Sequence, residues 1–182
     1  MPDGPSYDDV APGMMTCMRV THEVRYDAPV EEVRAMLVNP AFRESATLTM
    51  GASKVEVSVD EADVRIDMVS RPDHVPAFAR PLVGDRVHAV HAEHWTGDEA
   101  DFSVTTARVP AGVHGRRVLI ADGEGCLDTF DGEAHARIPL VGGRIEKLIV
   151  DRLKEGWDIE HSVGVVWLAD HTGHSGRSGG DR

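Results

Sequence analysis

The chain has 182 residues, 41% of them hydrophobic, and a formal charge of −12 with its histidines neutral. A length and apolar content of this order suit one domain around one core, and the acidic balance repels phosphate backbones and anionic membrane surfaces. Nucleic acid is therefore not an expected partner, and because no stretch approaches the roughly 18 apolar residues of a membrane span, membrane insertion is not expected either.

The opening MPDGPSYDDVAPGMM is acidic and turn-rich, with neither the cationic start nor the apolar centre of a leader. Cys17 and Cys126 stand far apart and outside any CxxC spacing, so two reduced thiols and a cytoplasmic location are expected. Residues 1–16, and a tail over 170–182 that includes HTGHSGRSGGDR, have the composition of disordered extensions. The domain is expected over 17–169.

Within that span, MRVTHEVRY alternates with period two, placing Met18, Val20, His22, Val24 and Tyr26 on one face of a first strand. DAPVEEVRAMLVN follows as a short helix, with Pro29 near its first turn and Glu31 and Glu32 suited to its dipole; NPAFRES, opened by Asn39-Pro40, predicts a second short helical piece. From Gly51 the period of two returns, through Val55, Val57 and Val59, then Val64, Ile66 and Met68, then RVHAVHAEHW at 86–95. Three further strands are predicted at Phe102 to Thr106, Arg117 to Ala121 and Gly125 to Ile138, separated by Pro110-Ala111-Gly112 and Asp122-Gly123-Glu124-Gly125 turns. A long helix beginning after Gly142-Gly143 closes the domain, with Ile145, Leu148, Ile149, Leu153, Ile159, Val163, Val166 and Trp167 on its apolar arc.

Strand, two short helices, six strands and a long helix define an α+β fold. A sheet of about seven antiparallel strands is long enough to twist and curl around the terminal helix, which leaves room for a cavity between them.

The segments MRVTHEVRYDAPVEEVRAML, VPAFARPLVGDRVHAVHAEHW and GEAHARIPLVGGRIEKLIVDRLKEGWDIEH resemble those of a mainly actinobacterial domain-of-unknown-function family within the START-like, plant-allergen-like SRPBCC superfamily. The resemblance covers about residues 18–168 and implies the helix-grip fold: a curved antiparallel sheet wrapped around a long C-terminal helix, with two short helices after strand 1. It also implies an apolar cavity, used by some members of the superfamily to bind lipids, sterols or polyketides and by others to catalyse reactions on them. No active site carries over with it, and fold analogy does not establish function.

The histidines of RVHAVHAEHW raise the question of a metal. In a strand, His88 and His94 share a face but lie about 20 Å apart at roughly 3.3 Å per residue, too far to share one zinc. His91 and Glu93 are same-face neighbours with Trp95 and would need a third group from an adjoining strand to make a metal or acid/base site; solvated sheet-face histidines are the plainer reading. No metal and no cofactor are expected.

Arg152 falls near the centre of the apolar arc, beside Gly156, where a charge is costly unless paired. It would hold the carboxylate or phosphate of an amphipathic ligand, or else pair with Glu160 or reach the rim. His22 and Tyr26 point inward from the first strand, as cavity polar groups or as core. Met68, Phe102 and Phe130 read as core or cavity lining, and RPDHVPAFARPLVGD, carrying Phe78, as a lid or a loop that seals the core. No G-x-S-x-G nucleophile motif occurs. The leading expectation is a binding or carrier protein for a small hydrophobic or amphipathic molecule. The alternatives are a cyclase- or hydrolase-like enzyme on such a molecule, and a cavity-less interaction protein, for instance a homodimer through a sheet edge or helix faces.

Overall fold

Strand β1 (Met18–Tyr26) alternates as the period of two requires, with Val20 and Tyr26 buried and Arg19, Thr21, Glu23 and Arg25 exposed. The computed structural model describes residues 17–172; the rest of the expected extensions, 1–16 and 173–182, lies outside the described residues. Helix α1 (Val30–Leu37) starts on Pro29 and has Glu31 and Glu32 in its first turn. Helix α2 (Pro40–Thr49) is capped by the Asn39 side chain, which accepts from the Ala41 amide at 2.9 Å. It extends beyond the predicted NPAFRES because Ala46 and Thr47 continue the face that Phe42 and Arg43 bury.

Strands β2 (Ala52–Asp60), β3 (Asp63–Ser70), β4 (Val87–Thr96), β5 (Glu99–Thr106), β6 (Ala111–Asp122) and β7 (Gly125–Ala136) complete one antiparallel sheet in the order β1-β7-β6-β5-β4-β3-β2. Strand β6 starts at Ala111 and not at Arg117, so the turn between β5 and β6 covers 107–110 and the predicted Pro110-Ala111-Gly112 runs into the strand: Ala111 and Gly112 already pair with Ala136 and His135. Farther along this ladder Gly115 faces Gly132, and a Cβ on Gly115 would stand 2.3 Å from the Asp131 carbonyl oxygen. Only glycine permits so close an approach of the two strands. Between β3 and β4, a single 3-10 turn (Pro72–His74) and the one-turn helix α3 (Arg80–Val83) occupy the segment read as a lid or seal.

Helix α4 (Gly142–Thr172) lies across the concave face, packed on β1, β7 and α2. It begins at Gly142 itself and runs past residue 169, with His171 stacked on Trp167 at 4.4 Å, so residues 170–172 belong to the helix and not to a tail. Its buried line is rotated from the predicted arc. Val150, Trp157, Glu160, Gly164 and Leu168 are buried, whereas Val166 is 62% exposed. Helical spacing defines a stripe, but the sheet and α2 select which edge of it is covered. This is the helix-grip architecture: seven curled antiparallel strands around one long C-terminal helix.

Candidate functional site

Three apolar clusters line the space between sheet and helix, and among them lies a cavity of about 310 Å³. Its length follows α4 from Ile145 to Glu160, about 22 Å at 1.5 Å per residue. Val75, Ala79, Leu82 and Val83 from the β3–β4 connection line it together with Val109 and Ala111. The wall continues through Phe102 and Val104 of β5 and Met68 of β3 to Met50, Trp157, His91 and Glu160. Four wall residues are polar: His91, Thr106, Arg152 and Glu160.

Behind His91 and Glu160 lies a group the sequence reading did not assemble. Arg43 of α2, Glu93 of β4, Arg117 of β6, Asp128 of β7 and Glu160 of α4 converge, all buried. Arg117 grips Asp128 through Nε and Nη2 at 2.9 and 2.6 Å, and also donates to Glu93 at 3.0 Å and Glu160 at 2.7 Å. Arg43 donates to Glu160 at 2.7 Å, to the Leu37 carbonyl at 2.5 Å and, by a short contact, to Glu93. Trp95 Nε1 donates to Glu93 at 2.9 Å.

Electrostatics follow from this packing. Burial alone would raise the Glu93 carboxyl, but Arg43, Arg117 and His91 hold it well below the usual range; Glu160 is likewise lowered, its burial outweighed by Arg43 and Arg117. Asp128 goes the other way, pushed up by burial against the pull of Arg117. Burial opposes the charge on Arg117, yet three carboxylates hold its guanidinium protonated. Three carboxylates thus share two guanidiniums within the group, and the Arg34 guanidinium, 4.1 Å over the Trp95 ring, also attracts Glu93.

Five of the residues singled out from sequence line the cavity: Met68, His91, Phe102, Arg152 and Gly156. His91 is a wall residue rather than a solvated sheet-face group. Its Nε2 is buried 3.2 Å from Glu93 Oε1 but is not aligned for a hydrogen bond. Arg152 does not pair with Glu160, whose oxygens are taken by Arg43 and Arg117; it pairs with Glu155 at 2.6 Å, with its side chain 43% exposed.

The other six lie off the cavity. Glu93 and Trp95 belong to the buried ionic group. Phe130 stacks on Trp157 at 4.1 Å, and Phe78 packs beside Ala79 under the Arg144 guanidinium. His22 sits at the β1 edge, its Nε2 2.9 Å from Asp158 and its ring over Trp157. Tyr26 is core, with its hydroxyl buried and without a hydrogen-bond partner. His88 and His94 are exposed on the opposite sheet face, where His94 meets Asp63 at 2.7 Å. Among the described residues, no three His, Cys, Asp or Glu side chains gather as a metal ion requires.

Arg117 and Asp128 carried a signal in the period of two, since each shares a strand face with apolar neighbours, Leu119 and Phe130 respectively. Arg43 carried a weaker one, beside Phe42 and one helical turn before Ala46.

The chain folds as a helix-grip protein with a cavity between its sheet and α4. Solved structures of this architecture include TTHA0849 from Thermus thermophilus, with a TM-score of 0.61 and 19% identity, covering 85% of this chain and 99% of that one. Norcoclaurine synthase from Thalictrum flavum, in complex with dopamine and hydroxybenzaldehyde, superposes with a TM-score of 0.62 at 11% identity, covering 92% and 98%. A START superfamily protein from Mycobacterium smegmatis gives 0.56 at 10% identity, covering 84% and 98%. The family described as protein of unknown function DUF2505 matches residues 21–168, and the chain belongs to it. No curated protein matches the sequence.

Proposed function

We propose that this protein binds or carries a small hydrophobic or amphipathic molecule in the cavity between the sheet and α4. The observation that carries the reading is the cavity of about 310 Å³, at the lower end of ligand-pocket sizes, whose wall is apolar apart from four residues. Gly156 supports it, because a side chain there would project from α4 toward Met50 in the cavity wall. The architecture of the solved neighbours agrees with it.

Native mass spectrometry after gentle purification from a bacterial host tests the reading, together with titration by the neutral apolar dye Nile red. A stoichiometric organic adduct, or one-to-one dye binding abolished by Gly156→Leu, is expected. Binding of neither, or dye binding indifferent to Gly156→Leu, would remove the cavity from the function.

A cytoplasmic location is part of this proposal. Cys126 pairs with Tyr26 at one end of β1 while Cys17 precedes Met18 at the other, so the two thiols are held apart as a reducing compartment allows. No helix among the described residues is long and apolar enough to cross a membrane. A second reading, an enzyme acting on the bound molecule, is favoured by one contact only: the His91 imidazole against Glu93 at the cavity wall, an arrangement suited to proton transfer. Chemical change of the released adduct on incubation with the protein would select it.

A further inference from the structure

Of the four polar groups in the cavity wall, two are already engaged. Glu160 accepts from Arg117 and Arg43 at 2.7 Å on its two oxygens, and Arg152 is held by Glu155. His91 differs. It lines the cavity; its Nε2 lies 3.2 Å from Glu93 Oε1, while its Nδ1, a donor or acceptor like any imidazole nitrogen, has no hydrogen-bond partner among the described residues. Its ring stands with Phe102 at 6.4 Å, which in turn meets Trp157 edge-on at 5.9 Å, so the polar group sits in an aromatic corner. Directly behind it is the ionic group with three carboxylates against two guanidiniums. An anionic head placed on His91 would meet the Glu93 carboxylate on the far side of the same imidazole, at short range and low dielectric.

Building on the carrier reading, we infer that the His91 corner recognises an uncharged hydroxyl on a cyclic apolar ligand, and that it discriminates against a carboxylate at the same position. With Nε2 turned to the Glu93 carboxylate, Nδ1 is left as an acceptor, to which a hydroxyl can donate and a carboxylate cannot. An apolar ring fills the Phe102 and Trp157 walls.

The test titrates the full chain near neutral pH with naphthalene, 2-naphthol and 2-naphthoate, followed by tryptophan fluorescence and calorimetry. One hydrogen bond in a dry site corresponds to roughly tenfold in affinity. 2-Naphthol is expected to bind about tenfold more tightly than naphthalene and than 2-naphthoate. His91→Phe should bring 2-naphthol to within about twofold of naphthalene while naphthalene itself still binds. In the wild-type protein, which needs no variant to fold, 2-naphthoate binding as tightly as 2-naphthol overturns the inference; loss of that binding in Arg152→Met would place the head group at Arg152. A 2-naphthol preference that survives His91→Phe also overturns it. Failure of all three compounds to bind, naphthalene included, removes the carrier reading as well, whereas naphthalene binding with no head-group preference removes the inference alone.

Discussion

Arg117 and Asp128, on neighbouring strands β6 and β7, form a two-bond pair of 2.9 and 2.6 Å from which solvent is excluded. The same guanidinium also serves Glu93 and Glu160, so it binds the sheet to α4. Removing one partner of such a group leaves buried charge uncompensated, a loss of about 3–5 kcal/mol. Arg117→Met is therefore expected to lower the unfolding free energy by that amount in urea denaturation. A loss under about 1 kcal/mol would mean that water reaches the carboxylates and that they are not held as described.

Acid should weaken the fold through two of the three carboxylates. Glu93 and Glu160 are lowered from the usual 4.5, so the stability they contribute is present above that value and is lost as pH falls through their folded values. Asp128 is raised from 3.8, so its contribution is fully present below that value and diminishes only as pH rises through its folded value; it does not add to the acid loss. Unfolding free energy measured between pH 7 and 3 should decline below about pH 4.5 in the wild type and more shallowly in Glu93→Gln. Equal slopes would assign the acid sensitivity to other groups.

Two glycines of α4 should respond in opposite directions to the same change. At Gly156 an added Cβ meets only Met50 Sδ, at 3.6 Å, so Gly156→Ala should gain up to about 1 kcal/mol of helix propensity. At Gly164 it would stand 2.8 Å from Tyr26 Cε1 and 3.0 Å from Met36 Cε, and Gly164→Ala should cost about 1–3 kcal/mol. Thermal melts of the two variants check this; a stabilised Gly164→Ala would show that α4 can shift off Tyr26.

Tyr26 buries a hydroxyl that has no hydrogen-bond partner, and burial together with nearby Glu160 pushes its ionisation up, which keeps the phenol neutral. Deleting an unsatisfied buried polar atom without changing the ring should be neutral or stabilising by up to about 1 kcal/mol. Tyr26→Phe losing more than about 1 kcal/mol in denaturant melts would reveal a partner for the hydroxyl.

Much of the fold was legible locally. The alternation of RVHAVHAEHW placed His91, Glu93 and Trp95 on one face and His88 and His94 on the other, and the structure keeps that division. Turn residues and helix signals gave the order of elements, although the period of α4 left its buried edge undetermined. The candidate site was legible only in part. Met68, His91, Phe102, Arg152 and Gly156 reach the cavity wall, while His22 and Tyr26, inward by the same alternation, do not.

The difference is physical. A repeat of two or 3.6 residues states which side of an element a residue occupies, because backbone geometry alone determines it. It does not state what that side meets. Arg43 and Glu160 are separated by 117 positions, and they join Glu93, Arg117 and Asp128 only because the sheet curls and α4 crosses its concave face. Composition and periodicity thus determined the α+β architecture and the inner faces. The curvature of the sheet and the placement of α4 decided which charges were buried together, which residues face the cavity, and that His91 stands in an aromatic corner of its wall.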